Sequence, residues 1–105
     1  MTVEDTLKAR GATYGEFEDV AWLSQALQCA MAGGRNWGSL APDQREALQT
    51  IAAKIARILN GDQNHVDSWH DIGGYAALVE RRLTRPRAGN GVCVDQPRAG
   101  NGVGA

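Results

Sequence analysis

Cysteine is scarce in this sequence, and its two cysteines lie in unlike settings. Cys29 falls in a segment with helical periodicity, whereas Cys93 falls in a glycine-rich stretch near the C-terminal end. No Cys/His spacing typical of a metal site accompanies either residue. We therefore predict that Cys29 is a small buried residue and that Cys93 is a free thiol.

Long apolar runs and an excess of either charge are also missing. No stretch approaches the ~18 apolar residues that span a bilayer, and no charged-then-apolar leader precedes the first predicted helix. The chain has 11 Lys or Arg and 12 Asp or Glu, for a formal net charge of −1. It thus lacks the overall positive charge of a nucleic-acid-binding protein. We expect a soluble, cytoplasmic protein without a membrane or nucleic-acid partner.

The last residues differ in composition from the rest of the chain. Beyond Arg85, the sequence PRAGNGV at 86–92 recurs at 97–103, in a stretch rich in glycine and proline. Such a segment buries too little apolar surface to offset its ordering entropy. We therefore predict a domain at 1–85 and a flexible tail at 86–105, with a docking or basic contact peptide as the alternative for the tail.

The apolar pattern of the predicted domain is helical throughout. No segment of useful length alternates with period two, whereas several repeat at three- and four-residue steps. We predict an all-α fold of about four helices in a small orthogonal or bundle-like packing. A domain of roughly 80 residues buries only about 60–65% of its unfolded surface. We therefore also expect self-association, as a dimer or a larger oligomer.

The first two helices are bounded by capping residues and glycines. Thr2 and Asp5 have the spacing of a capping box, and Gly11 predicts the end of a short first helix. The second helix is predicted from about 15 to 32, before two further glycines. Trp22 and other apolar residues widen its main apolar stripe, so we predict that this helix buries two faces.

The third and fourth helices have the clearest patterns. Pro42 suits the first position of a helix, Gln44 is placed to cap it, and Asn60-Gly61 predicts a left-handed end. The last helix is predicted from about Asp67 to Leu83, with Asp67 as its N-cap. The short connection between these helices predicts antiparallel packing. The predicted core stripe of the last helix is Ile72, Tyr75, Ala76, Val79 and Leu83.

Polar residues of the last helix form the candidate site. Asp67 and Asp71 are one turn apart, and like charges at that spacing repel unless a cation or a donor compensates them. Lys54, on the preceding helix, is a candidate partner. One interpretation is structural, with Asp67 as a cap and Asp71 in an interhelical ion pair with Lys54. The other is an anion- or metal-linked ligand site formed by the same groups with His70 and Tyr75.

A metal ion at this site would need additional ligands. Histidine can ligate a metal or move a proton near neutral pH, which makes His70 a candidate for either role. Metal ligation would also need Asp67 or Asp71 together with carboxylates from another helix, such as Glu46 or Glu16. No paired carboxylate motif supplies them. A bound Mg²⁺ ion is therefore one interpretation of these residues. The simpler interpretation is that His70 is a surface residue without a ligand.

Glycines mark two segments that need a structural reason. Gly73 and Gly74 lie inside a predicted helix, where each glycine costs roughly 1 kcal/mol relative to alanine, and we expect close helix packing as the reason. Residues 10–17 read RGATYGEF and are interpreted as a structural turn, although a helix N-terminus can also hold an anion. His65 precedes the last helix without any informative pattern.

Five stretches stand out together: RGATYGEF at 10–17, NW at 36–37, QREAL at 44–48, KIARILNGD at 54–62 and DSWHDIGGY at 67–75. Taken together they resemble an uncharacterised family of small phage and prophage proteins. The resemblance covers about residues 3 to 83. It implies an all-α fold and the cytoplasm of a bacterial host, and it brings no established activity.

A more distant similarity is to MazG-like all-α nucleoside triphosphate pyrophosphohydrolases. The last core helix of that family carries a carboxylate, an Asp three residues on, and an aromatic residue four further along. Asp71 and Tyr75 match the second and third positions, but Ser68 stands at the first. Where the family has two glutamates one turn apart, this chain has Glu46 and Gln49. The similarity implies a nucleotide binder or a retired enzyme whose Mg²⁺ ligands are incomplete.

These observations are consistent with three functions. The first is a phage accessory protein that sequesters or senses a small phosphorylated or nucleotide-like ligand, without turnover, around Lys54, Asp67, His70, Asp71 and Tyr75. The alternative is a protein-interaction module that inhibits a host defence or replication complex. The third is residual metal-dependent nucleotide hydrolysis, for which no catalytic residue is assigned.

Overall fold

The computed structural model describes residues 1–85, and this part of the chain is all-α. Its helices are α1 (Val3–Tyr14), α2 (Phe17–Met31), α3 (Pro42–Asn60) and α4 (Val66–Thr84), with a 3₁₀ turn at Trp37–Ser39. The predicted fold class and number of helices are confirmed. None of these helices is both long and apolar enough to cross a membrane. The predicted tail at 86–105 lies outside the described residues.

The central helix is α3. It packs against α2 on one side and against α4 on the other, and α1 makes smaller contacts with α2 and α3. The apolar residues buried in the described part of the chain are Val20, Ala47, Ala52, Ala56 and Ile58. Because three of them are alanines, the helices approach closely but enclose little side-chain volume.

Two helix starts follow their sequence signals. Thr2 Oγ1 accepts a hydrogen bond from the Asp5 N–H at 3.1 Å, and Asp5 Oδ2 accepts one from the Thr2 N–H at 3.2 Å. At the start of α3, Gln44 Oε1 accepts from the Ala41 N–H at 2.9 Å, and Pro42 takes the first helical position. The caps predicted at both helices are confirmed.

The first helix ends later than predicted. It continues through Gly11 to Tyr14, and Gly15 follows it with φ of 89°. Glycine adopts positive φ at no steric cost, whereas other residues are strained there. The predicted end at Gly11 is wrong because an isolated glycine weakens a helix without ending it.

Two predicted boundaries around the next turn are also wrong. The residue after α3 is Gly61, with φ of −124°, so this helix has no left-handed end. The N-cap residue of α4 is His65, which leaves Asp67 inside the first turn. A carboxylate in the first turn still interacts favourably with the positive end of the helix, so the same residue type suits either position.

Several residues predicted to be buried are exposed. Trp22 is 73% exposed, so α2 buries one face of its surface within the chain and not two. The physical reason is that α2 and α4 each pack mainly on α3, which covers one side of each helix. The same correction applies to three more residues predicted to be in the interior: Cys29, Ala76 and Leu83.

The glycine pair of α4 faces open space. A Cβ atom at Gly73 or Gly74 would meet no other atom within 4 Å. The prediction that these glycines allow close packing against another helix is therefore wrong for the contacts within residues 1–85.

Near the start of α3, Asp43 binds Arg82 of α4. Arg82 Nε donates to Oδ2 at 2.8 Å and Nη2 donates to Oδ1 at 2.7 Å. These hydrogen bonds hold the pKa of Asp43 below its ordinary value, with partial burial acting in the opposite direction. Together with the pair of Lys54 and Asp71 further along, this contact confirms that α3 and α4 are antiparallel.

Replacing Asp43 with asparagine is expected to cost up to about 1 kcal/mol of stability at neutral pH, because solvent screens a partly exposed pair. Since the folded-state pKa of Asp43 is lowered, its contribution is full above the ordinary carboxyl pKa and is lost as the pH falls through the folded-state value. Thermal melts of Asp43→Asn and wild type should therefore converge in strong acid. A difference that persists there would contradict the assignment to this ion pair.

Candidate functional site

Lys54 and Asp71 join α3 to α4 through an ion pair. Lys54 Nζ lies 3.0 Å from Asp71 Oδ2, and the two side chains are 16% and 41% exposed. The interhelical pair that the sequence predicts is confirmed. A largely buried lysine needs this carboxylate, because an unpaired buried charge is costly. Both groups thus have a structural role before any ligand is considered.

The other three residues of the predicted site do not gather around this pair. Asp67 is exposed, and its Oδ2 lies 4.0 Å from Nε2 of His65. His70 is exposed and Tyr75 is half-buried on the side of α4 that meets α3. At 3.6 residues per turn, these positions spread over more than a third of the circumference of the helix. The structure does not bring them together into one pocket-like group.

Residues 1–85 do not supply the ligands of a Mg²⁺ clamp. No group of three or more His, Cys, Asp or Glu side chains in this range is placed to hold a metal ion. Glu16, which precedes α2, and Glu46, on α3, would have been needed by a metal at Asp67 or Asp71, and both are exposed. Ser68, at the position where the MazG-like family carries a carboxylate, is buried at 4% exposure. The donor set therefore does not fit the metal that this family implies.

A different set of polar residues meets at the end of α1. The guanidinium carbons of Arg10 and Arg57 lie 4.8 and 5.1 Å from the ring centroid of Tyr14. The ring of His65 meets the same phenol ring edge-on, with 5.4 Å between centroids. We call these four residues the Tyr14 cluster. They come from α1, from α3 and from the residue before α4.

Two glycines bring these segments together. A Cβ atom at Gly15 would collide with the backbone of Asn60, and one at Gly61 would collide with the carbonyl of Thr13. In addition, the Asp62 N–H donates a hydrogen bond to the Thr13 carbonyl at 2.7 Å. The turn after α1 and the turn after α3 thus cross in direct backbone contact, which we call the glycine crossing. It fixes the end of α1 against the end of α3.

Positive charge is concentrated in the Tyr14 cluster. Neither Arg10 nor Arg57 has a carboxylate within 4.0 Å among the described residues. The first turn of α4 begins directly after His65 and adds the partial positive charge of a helix N-terminus. Asp67, at the edge of the cluster, supplies one carboxylate. The cluster is therefore better suited to an anion than to a cation.

His65 also carries an unsatisfied polar atom. Its Nε2 is shielded from solvent and makes no hydrogen bond. The Asp67 oxygen, 4.0 Å away, is too distant for a hydrogen bond. A buried polar atom without a partner costs free energy, and an oxygen atom of a bound anion would remove that cost.

Sequence reasoning missed this cluster although one signal for it is present. Arg10 and Tyr14 are four residues apart, the spacing at which side chains on a helix meet. The predicted helix end at Gly11 hides that signal. Arg57 and His65 join Tyr14 only in three dimensions, so no spacing in the sequence predicts them.

No family model, curated protein or solved structure matches this chain. The similarity to phage proteins and to the MazG-like family therefore stays a hypothesis, and the candidate site rests on the geometry of the chain itself.

Proposed function

We propose that this chain binds a small phosphorylated or nucleotide-like ligand at the Tyr14 cluster and releases it unchanged, so that it sequesters or senses the ligand. The observation that supports this function is a pair of guanidinium groups beside one phenol ring, without a carboxylate partner in the described residues. The guanidinium group is planar and permanently charged, and it can form two parallel hydrogen bonds to a phosphate. The ligand class is the one predicted from the sequence, whereas the site is a new one.

Each member of the cluster has a part in binding. Arg10 and Arg57 bind phosphate oxygens, and His65 donates a further hydrogen bond when its Nε2 carries a proton. The N-terminus of α4 adds attraction for the same anion. Tyr14 holds both guanidinium groups by cation–π contacts, so less side-chain freedom is lost when the ligand binds.

A binding role without turnover is supported by the scarcity of carboxylates around the cluster. Hydrolysis of a phosphoanhydride commonly uses Mg²⁺ held by several carboxylates. In the described residues, Asp67 is the acidic residue with an oxygen within 4.0 Å of a side-chain nitrogen of the cluster. A Glu16 oxygen also lies nearby, 3.2 Å from the place that a Cβ atom at Gly11 would take. The biological setting, a phage or prophage protein in the cytoplasm of a bacterial host, rests on the sequence resemblance.

Thermal shift and calorimetry with inorganic phosphate, pyrophosphate, nucleotides and cyclic nucleotides test this proposal. A ligand at about 100 times its Kd stabilises the folded state by about 2.7 kcal/mol, so Tm should rise with ligand concentration. Arg57→Gln and Arg10→Gln each remove one guanidinium group and should weaken binding about tenfold or more. Arg81→Gln is the matched control, because it removes the same charge from an exposed position on α4.

Three results would count against the proposal. A flat ligand panel with a cooperative melt would refute ligand binding. An equal loss of binding in Arg81→Gln and Arg57→Gln would indicate general charge attraction in place of a site. Release of phosphate from a nucleotide in the presence of Mg²⁺ would show the hydrolysis that the proposal excludes.

The alternative function, a module that inhibits a host defence or replication complex, is favoured by a separate observation. Large apolar side chains are exposed, among them Phe17 and Trp22. Aromatic residues are enriched among the residues that dominate protein-interface energies. If no ligand binds, these two residues are the first to substitute before a pull-down from host extract.

A further inference from the structure

The three longer helices form one layer with two unlike faces. α3 lies between α2 and α4, which have little contact with each other. One face, the charged face, carries the ion pairs of Lys54 with Asp71 and of Asp43 with Arg82. The opposite face, which we call the apolar face, carries Leu48, Ile55 and Leu59 on α3, and Trp69 and Leu83 on α4.

Helical geometry places the three α3 residues on this face. Lys54 marks the side of α3 that meets α4, and the fully buried Ala56 lies on the opposite side, toward α2. Leu48, Ile55 and Leu59 follow one another by seven and four residues. At 3.6 residues per turn they lie between those two sides, away from the charged residues.

The same geometry places the α4 residues beside them. Asp71 and Arg82 lie on the flank of α4 that adjoins the charged face. Trp69 and Leu83 are 14 residues apart, close to four full turns, and they lie on the other flank. The apolar side chains of α4 therefore continue the row formed by α3.

This layer buries little and leaves much of its apolar surface open. Its buried apolar residues include just two larger than alanine, Val20 and Ile58. On the apolar face, by contrast, exposure runs from 36% at Ile55 to 66% at Leu59. Stable domains are built from at least two layers that share a hydrophobic core. Helices α2, α3 and α4 supply one layer, to which α1 adds smaller contacts with α2 and α3. Because the residues of the apolar face stay exposed beside all four helices, a second layer over this face has to come from elsewhere.

We propose that a second copy of this chain covers the apolar face, so that two three-helix layers stack about a twofold axis. This inference does not depend on the proposed ligand. A stable interface buries about 800 Å² on each partner. The open parts of the five side chains form a patch of about 500 Å², toward the upper end of the ~300–600 Å² of the largest patch on a typical monomer. The residues around this patch would supply the rest of the interface.

A second copy fits this face better than other occupants. The apolar face is exposed in every copy of the chain, so each copy would gain buried apolar surface from the same contact. A second copy is also always present in equal amount. None of the five residues is charged, so two copies can meet without opposing like charges. The sequence of 86–105 contains three valines as its largest apolar residues, at 92, 94 and 103, which are too few to cover the face.

Sedimentation velocity and light scattering of the full chain test the proposal with two matched variants. Leu59 on the apolar face is 66% exposed, and Leu78 on the charged flank of α4 is 52% exposed. We expect a dimer for wild type and for Leu78→Glu. Leu59→Glu places a charge in the interface and should weaken dimerisation about a hundredfold or more.

If Leu59→Glu does not fold, the melting temperature of the wild-type protein still tests the proposal. The Tm of a wild-type dimer rises over about a hundredfold range of protein concentration, whereas that of a monomer stays constant. A monomeric wild type with a constant Tm overturns the proposal. A dimer that survives both Leu59→Glu and Trp69→Glu also overturns it, as does a monomer whose apolar face binds a host protein.

Discussion

Replacement of Gly61 with alanine is expected to destabilise the fold by about 3 kcal/mol. The φ at this position is −124°, outside the left-handed region, and the cost arises from the space that a side chain would need. A Cβ atom there collides with backbone atoms of Thr13 and Tyr14. Backbone atoms cannot rotate away as the end of a long side chain can, so the two turns of the glycine crossing must separate. Denaturant unfolding of the variant and wild type measures the loss.

The same variant should lose the proposed ligand, because separation of the two turns takes apart the Tyr14 cluster. Gly73→Ala is the control, since a Cβ atom there meets nothing within 4 Å. In a helix this change should stabilise the protein by up to about 1 kcal/mol. If Gly61→Ala is as stable as wild type, the two turns do not cross in solution.

Ile58→Ala is expected to cost about 3 kcal/mol, because deleting most of a buried isoleucine side chain removes its transfer energy and leaves a cavity. Ile58 is 8% exposed, and it and Val20 are the two buried apolar residues larger than alanine in the described part of the chain. A small domain has a total stability of roughly 5–15 kcal/mol, so the loss is a large fraction of it. The denaturant midpoint should fall while the slope of the transition stays unchanged.

Leu78→Ala controls for the general effect of shortening an apolar side chain. Leu78 is exposed on α4, and surface substitutions of this kind change stability by about 0.5 kcal/mol or less. Equal losses in Leu78→Ala and Ile58→Ala would mean that Ile58 is not in the core.

Local sequence signals predict the helices and their order well. The capping box of Thr2 and Asp5 and the proline at the start of α3 act within a few residues, where spacing determines geometry. The ion pair of Lys54 and Asp71 is also predictable, because a short connection makes the two helices antiparallel and Asp71 needs a compensating charge beside Asp67.

The Tyr14 cluster is beyond such reasoning for a physical reason. Its contacts join Tyr14 to Arg57 and His65, which are far away along the chain. Their meeting depends on the close approach of two turns, and nothing in the spacing of Gly15 and Gly61 indicates that they touch. Of the predicted site residues, Lys54 and Asp71 meet, whereas Asp67, His70 and Tyr75 do not gather around them. Residues of one helix can lie near one another in sequence and still face different surroundings.

Apolar periodicity predicts that a surface is covered but not which chain covers it. Leu83 belongs to the predicted core stripe of α4 and is exposed in the single chain. The proposed second copy would bury it, in agreement with the sequence pattern. Trp22 lies on the outer side of α2, which neither α3 nor the proposed interface covers.

Two backbones that cross without space for a Cβ atom also leave no space for an inserted residue. One extra residue in the turn between α1 and α2, or between α3 and α4, would move Gly15 or Gly61 away from the backbone it meets. Within the connection at 32–41, Gly38 is under no such restriction, because a Cβ atom there would meet nothing within 4 Å. A peptide tag or a reporter inserted within the domain therefore belongs in this middle connection.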